Sequence, residues 1–178
     1  MIVRDALPAD AAACQAIYAH HVLHGVGTFE ETAPTVEEMA RRIAEVGDRG
    51  LPWLLAEEGG VVRGYAYAAP FRLRAAYRYT VEDSIYLAPD AVGKGVGRAL
   101  LGHLIGRCEA MGLRQMVARI GDSANAASIG VHRACGFDHR GTTPALGFKH
   151  GRFVDVVWMQ RALGDGDKTV PEGEGLAL

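Results

Sequence analysis

Three glycines at alternate positions, Gly93, Gly95 and Gly97, carry the clearest chemical signal in this chain. They follow the β-type run Ser84-Ile85-Tyr86-Leu87 and lead at once into an apolar-periodic helix. Alternate residues without a Cβ let a ligand reach the backbone. The helix start adds unpaired N–H groups and the positive end of the helix dipole, and together these suit a phosphate or pyrophosphate. The spacing excludes two owners. A dinucleotide site needs G-x-G-x-x-G with an acidic residue about 20 positions on. A nucleoside-triphosphate loop needs Gly-Lys followed by Ser or Thr, and here Lys94 is followed by Gly95. The turn alone leaves an ordinary tight connection open. His20, His21 and His24 raise a metal site, but they lack the Glu of H-E-x-x-H and any third ligand, so they read as exposed histidines on an Ala-rich helix, and no metal is expected.

The elements that must position this turn follow from periodicity and punctuation. Ile2 to Asp5 reads as a strand, and Pro8-Ala9-Asp10 opens a helix running to about His20. Residues 20–35, broken by Gly25, Gly27 and Pro34, form a long irregular loop of the kind that carries function. Thr35 with Glu38 is a capping box that starts a helix reaching about Val46. Trp53 to Glu57 and Val61 to Ala69 form a hairpin across Gly59-Gly60. Tyr79 to Leu87 is a strand into the glycine turn, and the helix beyond runs from Val96 to Met111, stopped by Gly112. Then come a strand (Gln115 to Ile120), a short helix (Asn125 to Cys135) and two strands (Thr142 to Phe148, Arg152 to Met159). This order implies an α/β sandwich with a mixed, largely antiparallel central sheet. The Gly- and acid-rich residues 164–178 are expected to be a disordered tail on a domain spanning 1–163.

The bulk numbers bound the function. A chain of 178 residues with 49% hydrophobic and 22% charged residues reads as one globular domain with a substantial core. A net charge of −2 gives no reason to propose nucleic acid or an anionic membrane as partner. No uncharged apolar run approaches a membrane span, and the start lacks the layout of a signal peptide. Cys14, Cys108 and Cys135 are odd in number and widely spaced, which fits reduced thiols in a cytoplasmic protein.

In this order the elements resemble the GNAT N-acetyltransferase fold, whose central sheet has splayed strands flanked by helices. The turn Val92-Gly93-Lys94-Gly95-Val96-Gly97, with Arg98 starting the helix, is similar to that family's Q/R-x-x-G-x-G/A pyrophosphate turn, except that Val92 stands where Gln or Arg is usual. Asn125-Ala126-Ala127-Ser128 and Val131-His132-Arg133-Ala134-Cys135-Gly136-Phe137 look like its late helix ending in G-F. Thr28-Phe29-Glu30-Glu31-Thr32, Tyr79-Thr80-Val81-Glu82-Asp83-Ser84 and Gly147-Phe148-Lys149-His150-Gly151 narrow the likeness to the phosphinothricin and methionine-sulfoximine acetyltransferase branch.

The resemblance implies acetyl transfer from acetyl-CoA to the α-amine of phosphinothricin, methionine sulfoximine or methionine sulfone, a detoxification, in a cytoplasmic homodimer. It implies a cofactor site at Ile85, Tyr86, Leu87, Gly93, Lys94, Gly95, Val96, Gly97, Arg98, Asn125 and Ser128. Glu82 matches the branch's catalytic glutamate, a base for an α-amine whose pKa lies near 8. His132 stands where many members carry a Tyr that protonates the leaving thiolate, either as that acid or to position substrate. A backbone N–H at Leu87 or a neighbour would meet developing negative charge. Arg72 and Arg74, with Tyr77, suit the carboxylate and oxygen-rich head of the acceptor, and Phe29 and Glu30 a further wall. Lys149 and His150 sit in a hairpin turn that either reaches the site or a second subunit or is simply a polar turn. Asp83, adjacent to Glu82 on a regular strand, points to the opposite face and so is expected to stand outside the site. Two other readings remain: an acetyltransferase for another amine, such as a protein N-terminus, or a non-catalytic acyl-CoA-binding regulatory domain.

Overall fold

A computed structural model describes all 178 residues. Seven strands form one sheet in the order β1-β2-β3-β4-β5-β7-β6. In chain order they are β1 (Ile2–Asp5), β2 (Trp53–Glu58), β3 (Val61–Pro70), β4 (Thr80–Leu87), β5 (Gln115–Gly121), β6 (Asp138–Lys149) and β7 (Arg152–Ala162). Every neighbouring pair is antiparallel except β4 with β5. Helices α1 (Ala11–His24), α2 (Val36–Asp48), α3 (Val96–Ala110) and α4 (Ala126–Ala134) complete the fold. The mixed, largely antiparallel sheet is as expected. Two elements are longer than their local signals suggested. α1 continues to His24, because Gly25 rather than the histidines ends it, and β6 starts at Asp138, because pairing with β7 extends it.

Local chemistry sets the helix boundaries and tertiary packing fixes the faces. The Thr35 hydroxyl accepts from the Glu38 N–H at 3.1 Å, which caps α2 and turns Met39, Ile43 and Val46 inward. On α3, Leu100, Leu101, Leu104 and Cys108 have no exposed surface, and each buried leucine contributes about 1.5–3 kcal/mol. The sheet's faces sort by period two. Trp53, Leu55, Tyr65, Tyr67, Glu82, Ser84 and Tyr86 share the face on which Tyr18 of α1 meets Tyr86 edge-on, ring centroids 4.9 Å apart. Leu54, Ala66, Ala68, Val81, Asp83, Ile85 and Leu87 share the other face, against which α3 packs.

Residues 164–178 form no helix or strand, and they lie along the body of the fold. Arg114 donates to the Gly166 carbonyl and the Thr169 hydroxyl, and the Leu176 N–H donates to Arg78 O at 2.8 Å.

Candidate active site

The site starts where the sheet comes apart. β4 and β5 pair only from Thr80–Gln115 to Asp83–Ala118. Beyond that, β4 stays with β3 through Gly64–Leu87, and β5 stays with β7 through Gly121–Val156. Each strand keeps its outer neighbour and loses the inner one. A cavity of about 880 Å³ fills the gap, within the range of small-molecule sites, and residues of both sheet faces line it. The Ala88 N–H reaches Arg63 O at 2.9 Å on the β3 side, so the same peptide plane aims Leu87 C=O into the gap. The Leu87 N–H and the backbone of Ile85 share that direction by strand alternation. His21 Nε2 donates to Leu87 O at 2.8 Å, and burial lowers its pKa, so a neutral ring holds the end of β4.

At one end of the cavity stands the glycine turn. Gly93 and Gly95 adopt φ of 78° and 81°, the left-handed region that costs other residues roughly 1–2 kcal/mol. Gly95 is the N-cap of α3, whose first turn holds no acidic residue, and the first intrahelical bond is from Ala99 N–H to Gly95 O. The preceding helical N–H groups therefore have no partner within the helix. Gly93, Gly95, Gly97 and Arg98 line the cavity with Ile85, Tyr86 and Leu87, and Asn125 and Ser128 of the α4 start line it opposite. The Asn125 side chain accepts from the Ser128 N–H at 3.1 Å and so fixes that helix start. Lys94 points to solvent and Val96 into the core, so neither lines the cavity.

At the other end Glu82 sits among Tyr67, Phe29, Ser84 and Arg119. Burial pushes its carboxyl above the usual carboxylate value, and the hydrogen bond and charge of Arg119 pull part of the way back. Both Nε and Nη2 of Arg119 lie 2.6 Å from Glu82 Oε1. Phe29 reaches the cavity by resting on Gly147 of β6, where a Cβ would overlap its ring. Glu30 does not line the cavity. Arg42 of α2 grips its two oxygens at 2.7 and 3.1 Å, and the Tyr18 hydroxyl donates to it at 2.9 Å. Arg72, Arg74 and Tyr77 lie on the exposed 71–79 loop outside the cavity wall. Arg72 donates to Phe71 O and lies over the Phe71 ring, although its charge still reaches Glu82. Lys149 is a buried strut and not a surface turn residue: only 1% exposed, it donates to Thr28 O at 2.8 Å and ties the β6–β7 hairpin to the loop carrying Phe29.

Asp83 overturns the expectation that it stands outside the site. It does face away from Glu82, but the cavity passes between the strands and meets both faces. Its Oδ2 lies 2.9 Å from His132 Nε2, and His132 Nδ1 lies 2.7 Å from Ser128 O. Both ring nitrogens thus face acceptors, an arrangement that the doubly protonated ring satisfies in full. Burial opposes that charge, but the Asp83 hydrogen bond and charge outweigh it, so the pKa of His132 is raised.

Residues 16–137 match the acetyltransferase (GNAT) family. The chain is a GNAT acetyltransferase. It is 54% identical to the phosphinothricin N-acetyltransferase of Alcaligenes faecalis over 96% of this chain and 85% of that one. It is 41% identical to the L-methionine sulfoximine/L-methionine sulfone acetyltransferase of Salmonella typhimurium, covering 92% and 95%. Among solved structures it resembles a phosphinothricin acetyltransferase from Sinorhizobium meliloti in complex with AcCoA, with a TM-score of 0.93 and 52% identity over 97% and 94% of the two chains.

In this GNAT acetyltransferase the sequence-derived residues divide sharply. The glycine turn, the end of β4, the α4 start, Glu82, His132 and Phe29 come together in one cavity, whereas Lys94, Val96, Glu30, Arg72, Arg74 and Tyr77 do not line it. Among the lining residues that sequence reasoning missed are three polar ones: Asp83 and Arg119 are brought in by strand register, and His21, read as exposed, turns inward and donates to Leu87 O. Only for His21 was there a local sign: its place four residues after Ile17 on the apolar face of α1.

Proposed function

We propose that the enzyme transfers acetyl from acetyl-CoA to the α-amine of phosphinothricin, methionine sulfoximine or methionine sulfone. The observation that carries this is a single cavity joining a backbone anion cradle on one sheet face to a half-desolvated carboxylate, Glu82, on the other. The relatives named above supply the acceptor class.

The residues fit the donor. Left-handed glycines, free N–H groups at the start of α3 and the Arg98 guanidinium suit a pyrophosphate. Polar backbone groups of Ile85 and Leu87, with no strand opposite, suit the amides of an extended arm. Bound there, acetyl-CoA supplies an activated thioester carbonyl. Glu82, its carboxylate kept weakly basic by burial, takes the proton from the acceptor's ammonium and leaves a neutral amine facing the gap. The Leu87 N–H, fixed by the His21 hydrogen bond to the same residue, meets negative charge developing on an oxygen there. His132 has no free ring nitrogen, so it acts as a positioning residue that joins α4 to the last paired residue of β4.

We place the enzyme in the cytoplasm, in keeping with its three free cysteines, and as a homodimer. No helix is long and apolar enough to cross a membrane. Leu146, Phe148 and Phe153 stand exposed on the β6–β7 hairpin, at the edge of the sheet, where a second copy would cover them. Release of free thiol from acetyl-CoA, followed with these acceptors, with peptides and with no acceptor, tests the activity. Turnover confined to peptides overturns the acceptor assignment, and binding without turnover overturns catalysis.

A further inference from the structure

The 71–79 loop between β3 and β4 stands close enough to the acceptor end for the Arg72 charge to reach Glu82, yet it is weakly tied to the body. Every residue from Arg72 to Arg78 is exposed. Arg72 donates to Phe71 O and Arg78 to Ala75 O, so these bonds stay within the loop. The backbone bonds from Tyr77 N–H to Arg74 O and from Arg78 N–H to Ala75 O stay there too. A segment with so few outward bonds opens at low cost. From this stretch one bond leads outward: Arg78 O accepts from the Leu176 N–H at 2.8 Å. We propose that residues 164–178 form a strap that holds the 71–79 loop in place beside Glu82 and so sets the affinity for the acceptor. This rests on the reading of the Glu82 end of the cavity as the acceptor's seat.

The strap crosses the end of the sheet from β7, past β5, to β4. Leu163, wholly buried, follows β7, and its N–H donates to Arg114 O at 3.0 Å. Arg114, just before β5, donates to Gly166 O at 3.2 Å and to the Thr169 hydroxyl at 2.9 Å. The Tyr79 hydroxyl, just before β4, donates to Gly173 O, and Leu176 packs against the core. Gly175 permits the close approach: its φ is 75°, and a Cβ there would lie 2.6 Å from Arg78 O and 2.9 Å from the Tyr79 ring. These bonds need carbonyls and a hydroxyl rather than apolar side chains, so a Gly- and acid-rich segment can make them. They fall on Arg78 and Tyr79, where the loop becomes β4, with Glu82 three residues further on. Arg72, Arg74 and Tyr77 stay exposed. The strap therefore fixes the loop without occupying its outward side chains. Released, the loop would sample many positions, and acceptor binding would carry the cost of ordering it.

The test uses a variant lacking residues 171–178, which keeps the Arg114 bonds, and Gly175→Val in the 178-residue chain. Initial rates with methionine sulfone and acetyl-CoA are read beside hydrogen exchange over residues 71–79. Both variants should raise the KM for methionine sulfone about 5-fold or more, quicken exchange in the loop and leave the KM for acetyl-CoA in place. Tyr79→Phe, which removes one bond and keeps the ring, should give a smaller rise in the same direction. An unchanged KM for methionine sulfone overturns the proposal. So does an equal rise in both KM values, the mark of a general loosening. Glu82→Gln tests the underlying reading separately: full activity there overturns Glu82 as the base, whereas exchange that stays slow in the deletion variant overturns the strap.

Discussion

Glu82 and Asp83 are adjacent on β4, and each carries an ion pair, yet the two pairs are built for different ends. Glu82 meets Arg119 at 2.6 Å with the arginine half in solvent, and Asp83 meets His132 at 2.9 Å with both side chains almost wholly enclosed. A pair whose cation stands half in solvent lies close to the surface case, which contributes about 0–1 kcal/mol. A buried pair is costly to break, even with Asp83 Oδ1 left without a hydrogen bond, because the survivor is left as an unpaired charge. Strand alternation thus lets two consecutive carboxylates serve one cavity from opposite faces, one in a pair open to solvent and one locked.

The contrast can be broken in four ways. Glu82→Gln should cost most: a fall in kcat of about 10²- to 10⁴-fold with the KM for acetyl-CoA little changed, read by thiol release. A rate within twofold of wild type would remove Glu82 as the base. Asp83→Leu should cost about 3–5 kcal/mol of stability in urea unfolding, against less than about 1 kcal/mol for Arg119→Leu. Equal losses would erase the distinction between the pairs. Its pH signature follows from sign. The pKa of His132 is raised by folding, so the pair's contribution is full below the unfolded value of about 6.5 and is lost as pH rises through the folded value. Wild type should therefore lose stability relative to Asp83→Leu on the alkaline side.

The third test reads the pair open to solvent. The pKa of Glu82 is raised, so the acid limb of kcat/KM should lie above the ordinary 4.5 of a glutamate, with activity present above it. Arg119 holds that value down, so Arg119→Leu should move the limb further toward alkaline pH, while Asp83→Leu should move it toward acid, because the Asp83 charge raises it. Gly95→Ala should cost about 1–2 kcal/mol of stability from the φ of 81°, with nothing near its Cβ to clash. A raised KM for acetyl-CoA with an unaltered KM for the acceptor would place that strain at the cradle.

How much of this was legible depended on how far apart the partners lie in the chain. The glycine turn, the Thr35 cap and the hairpin at Gly59-Gly60 are local devices, and composition and spacing expose them. The succession of elements along the chain and the short late helix stopped at Gly136 followed from the same punctuation. Asp83–His132, Glu82–Arg119 and His21–Leu87 join residues 49, 37 and 66 positions apart, and only register brings them together. The loop arginines show the converse: Arg72 and Arg74 stand on the 71–79 loop outside the lining of the cavity, whereas Arg119 reaches it from a strand. Lys149 was read by its place in a turn, and the cavity-side packing of Thr28 decided otherwise.

The parting of β4 and β5 also sets the traffic through the enzyme. Exposed residues stand at both ends of the cavity, Phe29 and Arg119 at one and Gly93, Gly95 and Arg98 at the other. If the two reactants of the proposed transfer use these two openings, neither has to pass the other's seat, and initial-rate kinetics should show binding in either order.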